Sequence, residues 1–145
     1  VATLVPVNGL DRVTVLLDYE NVQRTAQRRF LSYGSDRGAS GHVYPRRVAD
    51  LIVGRRRRPS MLHEVRVYRG RPNPWKQELS AAANDRQAAD WAAEGVTVIR
   101  RNLSYPDEWP AIPPAEKGID VALAVDAVRL AAVHLLPRQG PATGG

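Results

Sequence analysis

Residues 13–17 read VTVLL, and the run ends at once in Asp18, Tyr19, Glu20 and Asn21. A continuous β-rich apolar run, without polar alternation, suits a strand buried on both faces, which is the position of a central strand in a parallel sheet. Such a strand needs helices on both sides and crossover connections to its parallel neighbours. Its carboxyl end opens onto the crevice where folds of this kind carry their site. The apolar run is therefore core, and Asp18 stands at the edge of that crevice.

The rest of the chain alternates accordingly. Residues 22–33 have helical character, and GSDRGASG at 34–41 gathers turn formers into a loop. Pro45 suits the first position of a second helix, which runs through Val48, Leu51 and Ile52 toward Gly54. RRRR at 55–58 and Pro59 end it, and residues 63–68 form a second strand with Val65 and Val67 on one face. After the loop RGRPNP, the alanine-rich segment 75–95 is a helix closed by Gly95. Residues 96–99 supply a third strand, and the proline-rich stretch 104–114 is an irregular connection. The last helix, 116 to about 136, places Val121, Val125, Val128, Ala132 and Leu135 on one packing face. Leu123 and Leu130 lie opposite, so cover is expected on more than one side. The expected fold class is α/β: a three-layer α/β/α arrangement on a parallel sheet.

One domain accounts for the length: 145 residues, 43% hydrophobic, suffice for one core and leave little for a second. We expect an N-terminal extension over 1–12, the domain over 13–136 and a loose tail over 137–145. The absence of cysteine excludes disulfides, thiolate nucleophiles and Cys-based zinc sites. His42, His63 and His134 have no zinc-ligand spacing. No apolar stretch is long enough to span a bilayer and the start lacks a secretory pattern, so no membrane association and a cytoplasmic location are the default expectations. The formal charge of +6 raises a polyanionic partner beside the plainer reading of a soluble basic protein.

Asp18 is the first candidate for a site built of carboxylates, the ligands that hard divalent cations prefer. EKGIDVALAVD at 116–126 is the second source. Glu116 and Asp120 are four apart and share a side if the helix has begun there. Asp126 lies about 120° around the helix from Asp120. Each residue also has a plainer role: acids at a helix N-terminus meet its dipole, Asp126 can pair with Arg129, Asn21 can cap a helix, and Asp18 can serve a turn.

Taken together, LLDYEN at 16–21 and EKGIDVALAVD at 116–126, in that order, resemble the two signature regions of the NYN domains, a branch of the PIN-like nucleases. The resemblance in element order covers about residues 13–136. It implies a Rossmann-like, PIN-like order and hydrolysis of RNA, single-stranded or structured, with Mg2+ or Mn2+. It makes Asp18 the principal metal ligand and Asp120 the second, with Glu116 and Asp126 as further contributors. Asn21 would position a water or a phosphate. The family continues into a strand ending in a motif like SGDSDF, whereas this chain runs into HLLPRQGPATGG. The last strand and its acid are thus missing from the pattern. That predicts a weaker metal site, a damaged or truncated nuclease fold of reduced activity, and a sheet edge that a second copy or a partner chain would cover.

Arg46, Arg47, Arg55, Arg56, Arg57, Arg58, Arg69 and Arg71 are the expected phosphate-backbone contacts, Arg69 and Arg71 lying nearer the crevice. The RRRR run is equally suited to a solvated helix end. Tyr19, Tyr44, Trp75 and Trp109 are candidates for stacking on bases, while Trp75 and Trp91 also suit helix packing. Two other classes compete: a non-catalytic RNA-binding or regulatory module with a degenerate site, and a nucleotide-binding α/β domain. The second is the weaker, because no glycine-rich phosphate loop follows the first strand.

Overall fold

The computed structural model describes residues 2–7, 9–30 and 42–135. The chain order is β1 (Ala2–Val7), β2 (Leu10–Asp18), α1 (Tyr19–Phe30), α2 (Pro45–Gly54), β3 (Ser60–Arg71), α3 (Glu78–Ala93), β4 (Val96–Asn102) and α4 (Ile119–Leu135). The expected loop at 34–41 and the tail at 137–145 lie outside the described residues. The sheet order is β1-β2-β3-β4. β2, β3 and β4 are parallel, as VTVLL required, with Asp18 opposite Tyr68 and Val65 opposite Val96.

One strand departs from the expected all-parallel sheet. Residues 2–7, expected to be an extension, form β1 and pair antiparallel with β2. β1 covers one side of β2 from within the chain, and the outer strands of the sheet are β1 and β4. β1 carries Pro6, and a proline is tolerated on an outer strand because one side of the backbone has no ladder partner.

Alternation along β2 divides the two layers of helix. Val13, Val15 and Leu17 join Val65, Val67, Val96, Ala49, Trp91 and Tyr19 in the main core, with α1, α2 and α3 covering that face. Burying each of these valines contributes about 1.5–3 kcal/mol at most. Thr14, Leu16 and Asp18 face the other way, beneath α4, which lies over β1, β2 and β3.

α4 turns differently from the expected arrangement. Its sheet-facing residues are Ile119, Ala122, Leu123, Asp126, Ala127 and Leu130, whereas Val121, Val125 and Val128 point outward and are 59%, 42% and 69% exposed. Both faces carry apolar residues, so periodicity alone did not distinguish them. Asp126 decides the rotation: its Oδ2 accepts hydrogen bonds from the Tyr68 hydroxyl at 2.8 Å and from Arg66 at 3.4 Å. No helix among the described residues is long and apolar enough to cross a membrane.

Candidate active site

β2 ends at Asp18 because the chain turns there into α1. The Asp18 carboxylate caps that helix: Oδ1 accepts the Asn21 backbone N–H at 3.1 Å, and Oδ2 accepts the Asn21 side-chain amide at 2.8 Å. The cap is thus Asp18 rather than Asn21, and the amide of Asn21 fixes the carboxylate's orientation. A carboxylate held through one bond per oxygen keeps lone pairs available for a further ligand.

Glu116 reaches the same end of the sheet from far along the sequence. It is not on α4: Gly118, at φ +74°, intervenes, and the helix begins at Ile119. The four-residue relation with Asp120 therefore does not apply. Glu116 instead turns back to the sheet, where its Oε1 accepts the backbone N–H of Gly70. Gly70 allows this approach because it lacks a side chain; a Cβ there would lie 2.2 Å from Leu103 Cδ2 and 3.0 Å from Glu116 Cγ. On its other side, the Gly70 carbonyl accepts the side-chain amide of the buried Asn84 at 2.9 Å.

Three carboxylates consequently influence one another. Burial pushes Glu116 up to about 7; Gly70 opposes this, while a hydrogen bond with Glu20 and the charges of Glu20 and Asp18 reinforce it. Near neutrality the Glu116 carboxyl is therefore still partly protonated. Glu20, in the first turn of α1, also pairs with Arg24. Asp120 is exposed in the first turn of α4 and has no hydrogen bond or ion pair among the described residues. Asp126 is committed elsewhere, to Tyr68 and Arg66. Burial and then the Asp126 carboxylate hold the Tyr68 hydroxyl protonated well above its usual range.

The oxygen-rich chemistry of Asp18, Glu20 and Glu116 suits a hard divalent cation, and such an ion would replace the proton that now relieves their crowding. Among the described residues, however, no three acidic or histidine side chains stand together as a ready ligand set. The fit is therefore to two convergent motifs that meet through Glu20 and Glu116, with Asp18 acting on Glu116 through its charge; Asp126 instead serves Tyr68 and Arg66 through Oδ2.

A cavity of about 190 Å³ beside this group is lined in part by Glu20, Glu116, Gly70 and Leu103. It shares Tyr19, Gln23, Arg69, Pro72 and Asn84 with a wider cleft of about 910 Å³ between α1 and α3. Arg69 forms the common wall. Its guanidinium lies 4.6 Å from the Tyr19 ring centre and 5.2 Å from that of Trp91, donates to Gln87, and leaves Nε buried without a partner among the described residues. Burial lowers its pKa from the ordinary arginine value.

The other arginines separate into two groups. Arg71 grips Asp85 with two bonds of 2.8 Å, a pairing that depresses the exposed Asp85 carboxyl below its usual range together with Arg100. Arg46 pairs with Asp50, and Arg47 lies over Tyr44. Arg55–Arg58 follow α2 and precede β3, which puts them at the opposite end of the sheet from Asp18. Of the aromatic candidates, Trp75 is 95% exposed, whereas Tyr19 and Trp91 pack against each other in the core.

Sequence reasoning gave no role to Glu20, Gly70 or Asn84. Glu20 was legible in principle, two residues beyond Asp18 in one motif. Gly70 had a signal too, since a glycine inside a strand often marks close approach by another group. In comparison with family models, curated proteins and solved structures, nothing matches this chain.

Proposed function

We propose that the domain is a metal-dependent endoribonuclease of the NYN, PIN-like type. The observation that carries this proposal is the meeting of two motifs about a hundred residues apart: LLDYEN brings Asp18 and Glu20 to the carboxyl edge of the parallel sheet, and EKGID brings Glu116 to the same place. Bound Mg2+ or Mn2+ would supply a stronger water nucleophile and neutralise charge on the phosphodiester. Asp18, Glu116 and Asp120 would hold it. Asn21 orients the Asp18 carboxylate. Glu20 raises the pKa of Glu116 through a hydrogen bond and its charge, and Arg69 lies between the acidic cavity and the wider cleft.

A second reading, a non-catalytic RNA-binding module with a degenerate site, is favoured by Asp126, an acid of the signature that is occupied in holding α4 to Tyr68 and Arg66. Cleavage of single-stranded RNA with manganese, beside a chelated control and Asp18→Asn, separates the two. The nuclease proposal expects cleavage that needs both metal and Asp18, with at least a hundredfold loss in the variant, the scale of a removed electrostatic contributor. RNA binding without cleavage in the parent protein would favour the module.

A further inference from the structure

Arg55, Arg57 and Arg58 are exposed and have no ion pair among the described residues. They stand between α2 and β3, where Ser60 pairs in register with Asp11. Arg56, among them, is anchored inward: it donates to Ser60 at 2.9 Å and pairs with the buried Asp11 at 3.2 Å. That anchor fixes the loop's backbone and leaves its three neighbours facing solvent. Arg12, from β2, adds a fourth guanidinium at this end, 2.8 Å from the His63 ring. The nearby acids are already engaged, Asp11 by Arg56 and Asp50 by Arg46.

The location separates this patch from the acidic site. Asp11 lies near the start of β2 and Asp18 at its end, seven residues on, so at ~3.3 Å per residue the patch end lies roughly 23 Å from Asp18. We infer that Arg55, Arg57 and Arg58 form a second, distal anchor for the phosphate backbone of an RNA that also reaches the acidic site. The inference rests on RNA as the ligand of the domain. Planar guanidinium forks match pairs of phosphate oxygens, and three without counter-ions on one short loop suit a phosphodiester chain. A stacked strand must run about seven nucleotides to touch both ends, at the ~3.4 Å per nucleotide of a helical strand. The patch therefore selects by length, where the acidic site alone would not.

The test uses binding, measured with chelator in an Asp18→Asn background so that cleavage plays no part. Arg55→Ser, Arg57→Ser and Arg58→Ser are combined, Arg56 is kept, and a second protein carries lysine at the same three positions. With single-stranded RNA of about 20 nucleotides, the serine protein should bind at least tenfold more weakly. The slope of log affinity against log salt should flatten by about two, because each phosphate no longer neutralised removes roughly 0.7 from it. The lysine protein should keep most of both. The affinity advantage of this RNA over one of about five nucleotides should shrink at least fivefold.

Unchanged affinity and slope in a folded serine protein would overturn the anchor. So would arginine-dependent binding to phosphatidylserine vesicles without any to RNA, an outcome to which the exposed Leu51 and Met61 at the same end could contribute. Loss of the anchor with Asp18-dependent cleavage intact in the parent protein would leave the nuclease proposal standing. Arginine-dependent binding without cleavage would do the reverse.

Discussion

Glu116→Gln should stabilise the protein, and only at higher pH. In the folded chain the Glu116 carboxyl titrates at about 7, against an ordinary 4.5, with burial as the main cause and Glu20 and Asp18 adding to it. The folded state thus holds a proton that the unfolded state releases. The corresponding stability is fully present below about pH 4.5 and is lost as pH rises through 7. A shift of that size in a dry site would amount to about 3 kcal/mol; Glu116 is partly exposed, and solvent screening reduces this to about 1–2 kcal/mol. Glutamine keeps an oxygen for the Gly70 N–H and carries no charge at any pH. The variant should therefore gain about 1–2 kcal/mol at pH 8, a rise in Tm of roughly 3–6 °C, and nearly nothing at pH 4.5. Urea denaturation with chelator at the two pH values measures this directly. An equal effect at both, or destabilisation at pH 8, would refute the crowding of carboxylates on which the site is built. Under the nuclease proposal the more stable variant should also lose cleavage, because the charge that strains the fold is the charge that would hold the cation.

Two further substitutions test the surroundings of the site. Gly70→Ala should cost about 1–3 kcal/mol, since its Cβ would collide with Leu103 and crowd Glu116; adding Leu103→Ala should recover part of this in urea denaturation, and no recovery would point away from that clash. Asp126→Ala should cost about 1.5–3 kcal/mol by leaving the buried Tyr68 hydroxyl and Arg66 without their acceptor; in a Tyr68→Phe background the loss should be smaller, and a double-mutant cycle with no coupling would contradict the bond.

The parts of the fold legible in the sequence were those governed by local chemistry. VTVLL required a strand covered on both faces, and Pro45 marked the first residue of α2. Boundaries moved where side chains intervened: the helix expected from Trp75 starts at Glu78, because the Asn73 carbonyl and side chain bind the backbone N–H groups of Trp75, Lys76 and Gln77 in a turn. The strand expected over 63–68 extends from Ser60 to Arg71 because β2 and β4 pair along it. β1 was hidden by its proline, and by the fact that an outer strand needs no strong local signal. The rotation of α4 depends on a long-range bond from Asp126, which no periodicity records. At the site, Asp18 was read correctly as the end of β2, but Asn21 orients it instead of capping the helix. Glu116 was placed on a helix that begins only after it, since the turn at Gly118 depends on a backbone angle available chiefly to glycine.

β1 also bears on the order in which the chain assembles. Its pairing with β2 begins at Val7 and Leu10, neighbours in sequence, while Asp11 meets Ser60 and Val65 meets Val96 only after long crossovers. Contacts between near neighbours close within microseconds, and distant ones first have to overcome the entropy of the intervening loop. The hairpin of β1 and β2 is therefore expected to form before the parallel ladder. β2 then meets β3 with one side already aligned, and a one-residue slip that would drive Asp18 into the core is opposed from the first encounter.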